Sequence, residues 1–436
     1  MIELLTLFLS LTAGTRPVTV AVSEEVAAVE LRLDGAPVGE VRGEPWTLEV
    51  DFGAGLLPHQ LVAVARDAEG DQLARARQLI NLPRPRAEAR LALHGEPSGE
   101  RWAQLTWESV EGLTPVEIAV SFDGEPLPVT DPERILLPPH DPEQLHLLSA
   151  ELTFPGELEA RTALGFGGIH LEAVDAELTA VPVIAPAAGV EPPAAAEMTG
   201  WFRKDGEPLR VFTVERTPAE VLLVLDDRAR ADVPSIFSGP SWGSGSREVL
   251  RRRVLELPDG VRPGDRLRVA EIRPDPRRLD AGKVLFPVTA DLRDHEWVGI
   301  PEVLLDRAAR DPKRTHRLAD AVAVAALTAA ESERIRAVVL VVGEQDGDDR
   351  SQFSAGAVRD YLRALRVPLR VWSTRRRAAE GNPWGEVVEV GRSKALSRAV
   401  EELRRDLDRQ LMVWLVGSHL PQEVELTEPG WRLAGE

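Results

Sequence analysis

The stretch "VLLVLDDRAR", residues 221–230, decides how the second half of this chain folds. Val221 to Leu225 form an unbroken apolar run. Such a run predicts a strand buried on both faces of a parallel sheet. It ends on Asp226 and Asp227, followed by Arg228 and Arg230. In open α/β sheets, ligands bind just past the carboxyl ends of the strands. An acid followed by two arginines therefore stands where such a sheet meets its ligands.

Outward from this stretch, strand-like and helix-like patterns alternate. Strands are predicted at 221–226, 266–272, 283–288, 337–342, 368–373 and 386–390. Helices are predicted at 244–256, 299–310, 316–336, 354–366 and 393–411. That alternation implies a mostly parallel sheet covered on both faces. Ser354 is well placed as a helix N-cap.

Upstream the pattern differs. Residues 15–83 show period-two alternation with a turn every 8–12 residues and almost no helix signal, which predicts a β-sandwich. "LPRPR", 82–86, has the stiffness of a linker. Residues 87–188 repeat the style and predict a second sandwich-like domain. "APAAGVEPPAAAE", 185–197, has linker composition, and an α/β domain is expected over 198–436. Asp-Gly-x-Pro recurs at Asp34, Asp123 and Asp205. Asp-Gly suits a tight hairpin turn, and the proline keeps the returning strand at an edge. Asp34 and Asp123 are expected as turn residues, not calcium ligands.

Composition narrows the function classes. The chain has 436 residues, 43% of them hydrophobic and 28% charged, with no cysteine. Disulfides, cysteine-ligated zinc, thiol catalysis and a lipidated N-terminal cysteine are thereby excluded. Residues 1–197 carry 32 acidic and 12 basic side chains, a net of −20; the remainder carries 39 and 40, a net of +1. An acidic front half disfavours nucleic acid and anionic membrane as partners. "LLTLFLSLTAG", 4–14, has the apolar core of a secretory signal, with Ala13 at a cleavage-like position, but Glu3 stands where a basic residue is usual. The same residues suit a first β-strand or a wrongly assigned start. A signal over 1–14 implies a periplasmic or secreted protein; without one, a cytoplasmic protein is implied. No other stretch suits a membrane span.

The order of landmarks after residue 198 resembles a von Willebrand factor A (VWA) domain of the bacterial VWFA-related type. The landmarks are the strand ending in Asp226, "GVRPGDRLRVAEI" (260–272), "KVLFPVTADLRD" (283–294), "RTHRLADAVAVAAL" (314–327), "AVVLVVGEQDGDDRS" (337–351) and the closing stretch 410–436. The resemblance implies a Rossmann-like α/β fold with a divalent cation above the sheet, held by Asp-x-Ser-x-Ser, a Thr and a later Asp. Those positions fall on Asp226, Arg228, Arg230, Thr315, and Glu344 or Asp346. Both hydroxyl positions are arginine. Lys313 and Arg314 replace the glycines before the Thr, and the spacing to Asp320 is one residue longer than usual.

Arginine has no acceptor atom and stays charged in proteins. Two unit charges 4 Å apart interact by about 4 kcal/mol at an effective dielectric near 20, and a dication doubles that repulsion. Loss of the metal is therefore expected, with no cofactor. An ion-pair network among Arg228, Arg230, Asp226, Glu344 and Asp346 would take its place. The alternative is that both arginines lie in solvent.

Other motifs are weaker. "GPSWG", 239–243, matches a nucleophile elbow, with Ser241 as nucleophile and His295 or His316 as base, but no strand leads directly into it. The eight histidines form no His-x-His or His-x-x-x-His pair. Asp294, His295 and Glu296 suit a solvated loop. Arg375, Arg376 and Arg377 lie on the same sheet edge as Asp226 and suit either an acidic partner or solvent. Trp242, Trp297 and Trp384 fall in predicted loops, as an interaction patch or as packing beneath those loops.

The sequence therefore predicts two immunoglobulin-like β-sandwiches followed by a VWA-like α/β domain. The expected function is non-enzymatic: protein–protein interaction or scaffolding at the bacterial cell envelope, with an unidentified protein partner. Two alternatives remain: a metal-dependent adhesion module using Asp226, Thr315 and Asp346, and a serine hydrolase using Ser241.

Overall fold

The computed structural model describes the chain except for residues 1, 7, 9, 84–86, 96–100, 110–111, 124, 145, 156–157, 168–177, 238–246, 271–298, 309–316, 332, 344–348 and 376–381. The first unit is built from β1 (Ile2–Leu4), β2 (Thr15–Val22), β3 (Ala28–Leu33), β4 (Ala36–Val41), β5 (Thr47–Asp51), β6 (His59–Arg66) and β7 (Gln72–Ile80). They form two antiparallel sheets, ordered β1-β2-β5 and β4-β3-β6-β7. Alternate residues of both sheets, including Val18, Val20, Leu31, Leu61 and Ala63, fill one core. This is the predicted sandwich. Residues 2–4 serve it as an edge strand, with Ile2 opposite Val22, and the Phe8 ring meets Phe52 edge-on at 5.1 Å.

The second unit repeats the plan with β8 (Ala87–His94), β9 (Trp102–Ser109), β10 (Glu117–Phe122), β11 (Glu125–Leu127), β12 (Ile135–Leu136), β13 (His146–Phe154) and β14 (Leu158–Phe166). Its sheets are β12-β9-β8 and β11-β10-β13-β14, closed over Leu105, Leu148, Phe154 and Phe166.

The two sandwiches share one local device. Asp34 and Asp123 adopt left-handed backbone, with φ of 53° and 51°. With Gly35 also at positive φ, the first turn has the backbone that matches the twist of a hairpin. Each aspartate then accepts from the Nδ1 of the histidine that opens the next long strand: His59 to Asp34 at 2.7 Å, and His146 to Asp123 at 2.7 Å. The other ring nitrogen faces a backbone carbonyl, Phe52 for His59 and Asp141 for His146. Each turn is thus fastened to its sheet through a buried ring.

The remaining strands are β15 (Leu178–Ile184), β16 (Phe202–Lys204), β17 (Glu207–Pro208), β18 (Val211–Glu215), β19 (Ala219–Leu225), β20 (Arg266–Val269), β21 (Ile335–Val342), β22 (Leu369–Ser373), β23 (Val387–Glu389), β24 (Gln410–Val416), β25 (Glu425–Leu426) and β26 (Arg432–Leu433). The helices are α1 (Asp227–Arg230), α2 (Val233–Phe237), α3 (Arg247–Val254), α4 (Ile300–Ala308), α5 (Leu318–Glu331), α6 (Ala355–Ala364) and α7 (Ser393–Asp408). Five strands form a parallel sheet in the order β20-β19-β21-β22-β23. Every residue of β19 and β21 is buried, as their apolar runs require. Along β19, Val221, Leu223 and Leu225 pack with α2, α4 and α7; Leu222 and Val224 pack with α5 and α6. The strand predicted at 283–288 lies outside the described residues.

One assignment needs correction. β15, grouped with the second sandwich on its alternation, pairs with β24 near the end of the chain, Val181 opposite Val413. Val183 before the Pro/Ala stretch 185–197 and Met198 after it share one core. That stretch therefore connects elements within a single unit. Its composition marks a segment without strand, with a 3-10 turn only at Ala195–Met198, which is not the same as a domain boundary. Gln410 joins this antiparallel sheet to the parallel one: its amide exchanges hydrogen bonds with the backbone N and O of Arg336, at 3.0 and 3.1 Å.

Candidate functional site at the carboxyl edge of the parallel sheet

At the tip of β19 the Asp226 amide still donates to Val341 O at 2.9 Å. Its carboxylate then accepts from the Arg228 amide at 3.1 Å and caps α1. This is what an N-cap aspartate does: it satisfies an amide that the helix leaves unpaired. Asp226 is buried, while Arg228 and Arg230 are half-buried. β21 ends beside this turn. A Cβ on Gly343 would lie 2.6 Å from the Ala229 nitrogen and 2.6 Å from the Arg228 carbonyl carbon. Only glycine lets the strand end pass this close to α1.

The neighbouring loop and α5 cap each other. The Asp349 carboxylate accepts from the amides of Leu318 and Ala319, both at 3.1 Å. Ser351 Oγ accepts from the Asp320 amide at 3.1 Å. In return Asp320 accepts from the Gln352 amide at 2.9 Å. Asp320 is fully buried, and burial pushes its carboxyl up, against the pull of the adjoining Arg317.

On the other side, Arg375 follows β22. Its guanidinium forks onto the carboxylate of Asp232, in the turn between α1 and α2, at 2.9 and 2.8 Å. Thr374 Oγ1 donates to the same carboxylate at 3.0 Å. Arg375 holds the Asp232 carboxyl below the usual carboxylate range.

Of the predicted site residues, Asp226, Arg228 and Arg230 are adjacent at the strand tip. Thr315, Glu344 and Asp346 lie outside the described residues, as do Ser241, His295, His316, Trp242, Trp297, Arg376 and Arg377. The Asp226 contact to position 228 runs through backbone, and among the described residues the Arg228 guanidinium meets no acid. At this edge Arg375 and Asp232 make an arginine–acid fork. Sequence reasoning noted Arg375 but not Asp232, which lies two residues beyond Arg230 in a loop without periodicity. Trp384 is buried, one of the two readings offered for it, and Trp372 is fully buried. No group of three His, Cys, Asp or Glu side chains placed to hold a metal occurs among the described residues. No helix among them is long and apolar enough to cross a membrane.

The fold defines a chain of two β-sandwich units and an α/β unit with a parallel five-stranded sheet. No known family matches the chain, and no curated protein matches it. Among solved structures it is similar to fibronectin(III)-like modules of Clostridium thermocellum CbhA, at 20% identity over 18% of this chain and 93% of that one, with a TM-score of 0.17. It is also similar to the central fibronectin-III array of RIM-binding protein, at 10% identity over 48% and 78%, with a TM-score of 0.22. A β-glycosidase from Bacteroides vulgatus matches at 15% identity over 37% of this chain and 24% of that one, with a TM-score of 0.19. Scores this low carry no argument about the chain's chemistry; the two sandwiches rest on their own sheets and cores.

Proposed function

We propose that this protein is a non-enzymatic interaction or scaffolding module that binds a protein partner through the carboxyl edge of its parallel sheet. In this reading the α/β unit is VWA-like, and it works without a bridging cation. One observation carries the reading: Arg375 and Thr374 occupy Asp232, so the protein's own cation ties the loops at this edge. The strand-tip Asp226 caps α1, and arginines stand where hydroxyl ligands would be needed. Arg228 lies on the same edge, suited to a partner's carboxylate.

A photo-crosslinking residue at position 228 of the full chain tests this, with one at Glu69 on the first sandwich as control. The expected result is a protein adduct from position 228 alone, unchanged by EDTA. An adduct lost with EDTA would favour the metal-dependent alternative, and equal yields at both positions would put the contact elsewhere. The envelope location is tested by fractionating the producing cells; recovery of the protein from the cytosol contradicts it.

A further inference from the structure

The chain order suggests three beads on a string, yet the first bead is packed against the last. Leu11 and Leu56 of the first sandwich are buried in the same cluster as Val322 of α5 and Tyr361, Leu362 and Leu365 of the α6 region. A polar joint lies beside them. Asn81, just after β7, has φ of 56°. Its side chain exchanges hydrogen bonds with Thr12, at 2.7 Å to the Thr12 amide and 2.8 Å to the Thr12 carbonyl, and donates to Leu57 O at 2.6 Å. Its own carbonyl accepts from the hydroxyl of Tyr361, 280 positions away, at 2.8 Å. Tyr361, the chain's single tyrosine, is fully buried. Gln422 Nε2 donates to Pro58 O at 2.7 Å, and Arg77 Nη1 to Ser418 Oγ at 3.2 Å.

Apolar burial supplies affinity here and the buried hydrogen bonds fix the geometry, as in a permanent interface. Among the described residues, the second sandwich, between these parts in sequence, closes its core with residues 87–166.

We infer that the α5–α6 face is an interaction surface whose occupant is the chain's own first sandwich. Residues 1–82 and 178–436 then form one folding body, with the second sandwich inserted into it as a separate module. The segment 2–12 gains a role in this body: it carries Leu11 and the Thr12 backbone into the joint.

The absence of cysteine makes a labelling test direct. Spin labels on cysteines introduced at the exposed positions Glu69 and Lys394 should give one narrow distance distribution in the full chain. Leu56→Asp should broaden it while core amides such as Val18 and Leu61 stay protected from hydrogen exchange. Phe154→Ala, in the core of the second sandwich, should leave it narrow. A broad wild-type distribution, a narrow one in Leu56→Asp, or a broad one in Phe154→Ala would overturn the inference. Should Leu56→Asp lose core protection, Tyr361→Phe decides. It removes one buried hydrogen bond and should speed exchange of the Thr12 amide about fivefold; unchanged exchange there would count against the joint.

Discussion

Arg375 and Asp232 are 143 positions apart in sequence, yet the guanidinium of one grips both carboxylate oxygens of the other. The pair crosses the end of the parallel sheet, from the exit of β22 to the turn after α1. With the Thr374 hydroxyl, which donates to the same carboxylate at 3.0 Å, it joins two loops.

Arg375→Ala should cost about 1 kcal/mol, because a half-exposed ion pair is screened by water. Its pH dependence follows from the lowered Asp232 carboxyl. A depressed folded value contributes stability above the ordinary value of 3.8, and that contribution is lost as pH falls through the folded value. The stability gap between wild type and Arg375→Ala, from denaturant melts, should be constant above about pH 5 and close in more acidic solution. A gap that widens with acid would contradict the pairing.

Gly343→Ala should disturb the site without touching its charges. The added methyl meets the α1 backbone, which cannot swing aside as a side chain does. A loss of about 2 kcal/mol is expected in melts, with chemical-shift changes centred on Arg228 and Ala229. A neutral result would mean that α1 does not lie against β21.

The fold was largely legible in the sequence. The runs 221–226, 337–342 and 368–373 became β19, β21 and β22 because two-sided burial demands continuous apolar residues. The predicted helices 354–366 and 393–411 became α6 and α7, and Ser354 caps α6 through the Ala357 amide. The pairing of β15 with β24 was not legible, since alternation gives a strand's faces but not its neighbours. Asp232, Asp349 and Ser351 were missed because they act from loops, where side chains are chosen for one contact and show no period. The histidines at the starts of β6 and β13 did leave a signal. Each follows an Asp-Gly-x-Pro turn by a similar interval, Asp34 to His59 and Asp123 to His146.

That shared device gives a paired prediction. His59→Ala and His146→Ala should each cost about 2 kcal/mol, through lost hydrogen bonds and a cavity. Each should act on its own sandwich, read by amide exchange in β6 or in β13. Loss of protection in both sandwiches from one substitution would contradict separate cores.

Arg366 holds the end of the chain. It has φ of 57°, at a position just past α6 where glycine is usual. Its side chain donates to Pro421 O at 3.1 Å, Val424 O at 2.8 Å and Glu436 Oε1 at 2.9 Å. Arg366→Gly relieves the backbone but strands those acceptors, and a net loss of about 2 kcal/mol is expected. Greater stability would mean that the left-handed backbone outweighs the three bonds.

In the proposed function this sheet edge works without a dication. Titration calorimetry of the full chain with Mg²⁺ and with Mn²⁺ tests it most directly. No stoichiometric binding is expected up to millimolar cation, and none after Arg375→Ala. Tight one-to-one binding, abolished by Asp226→Ala, would contradict it.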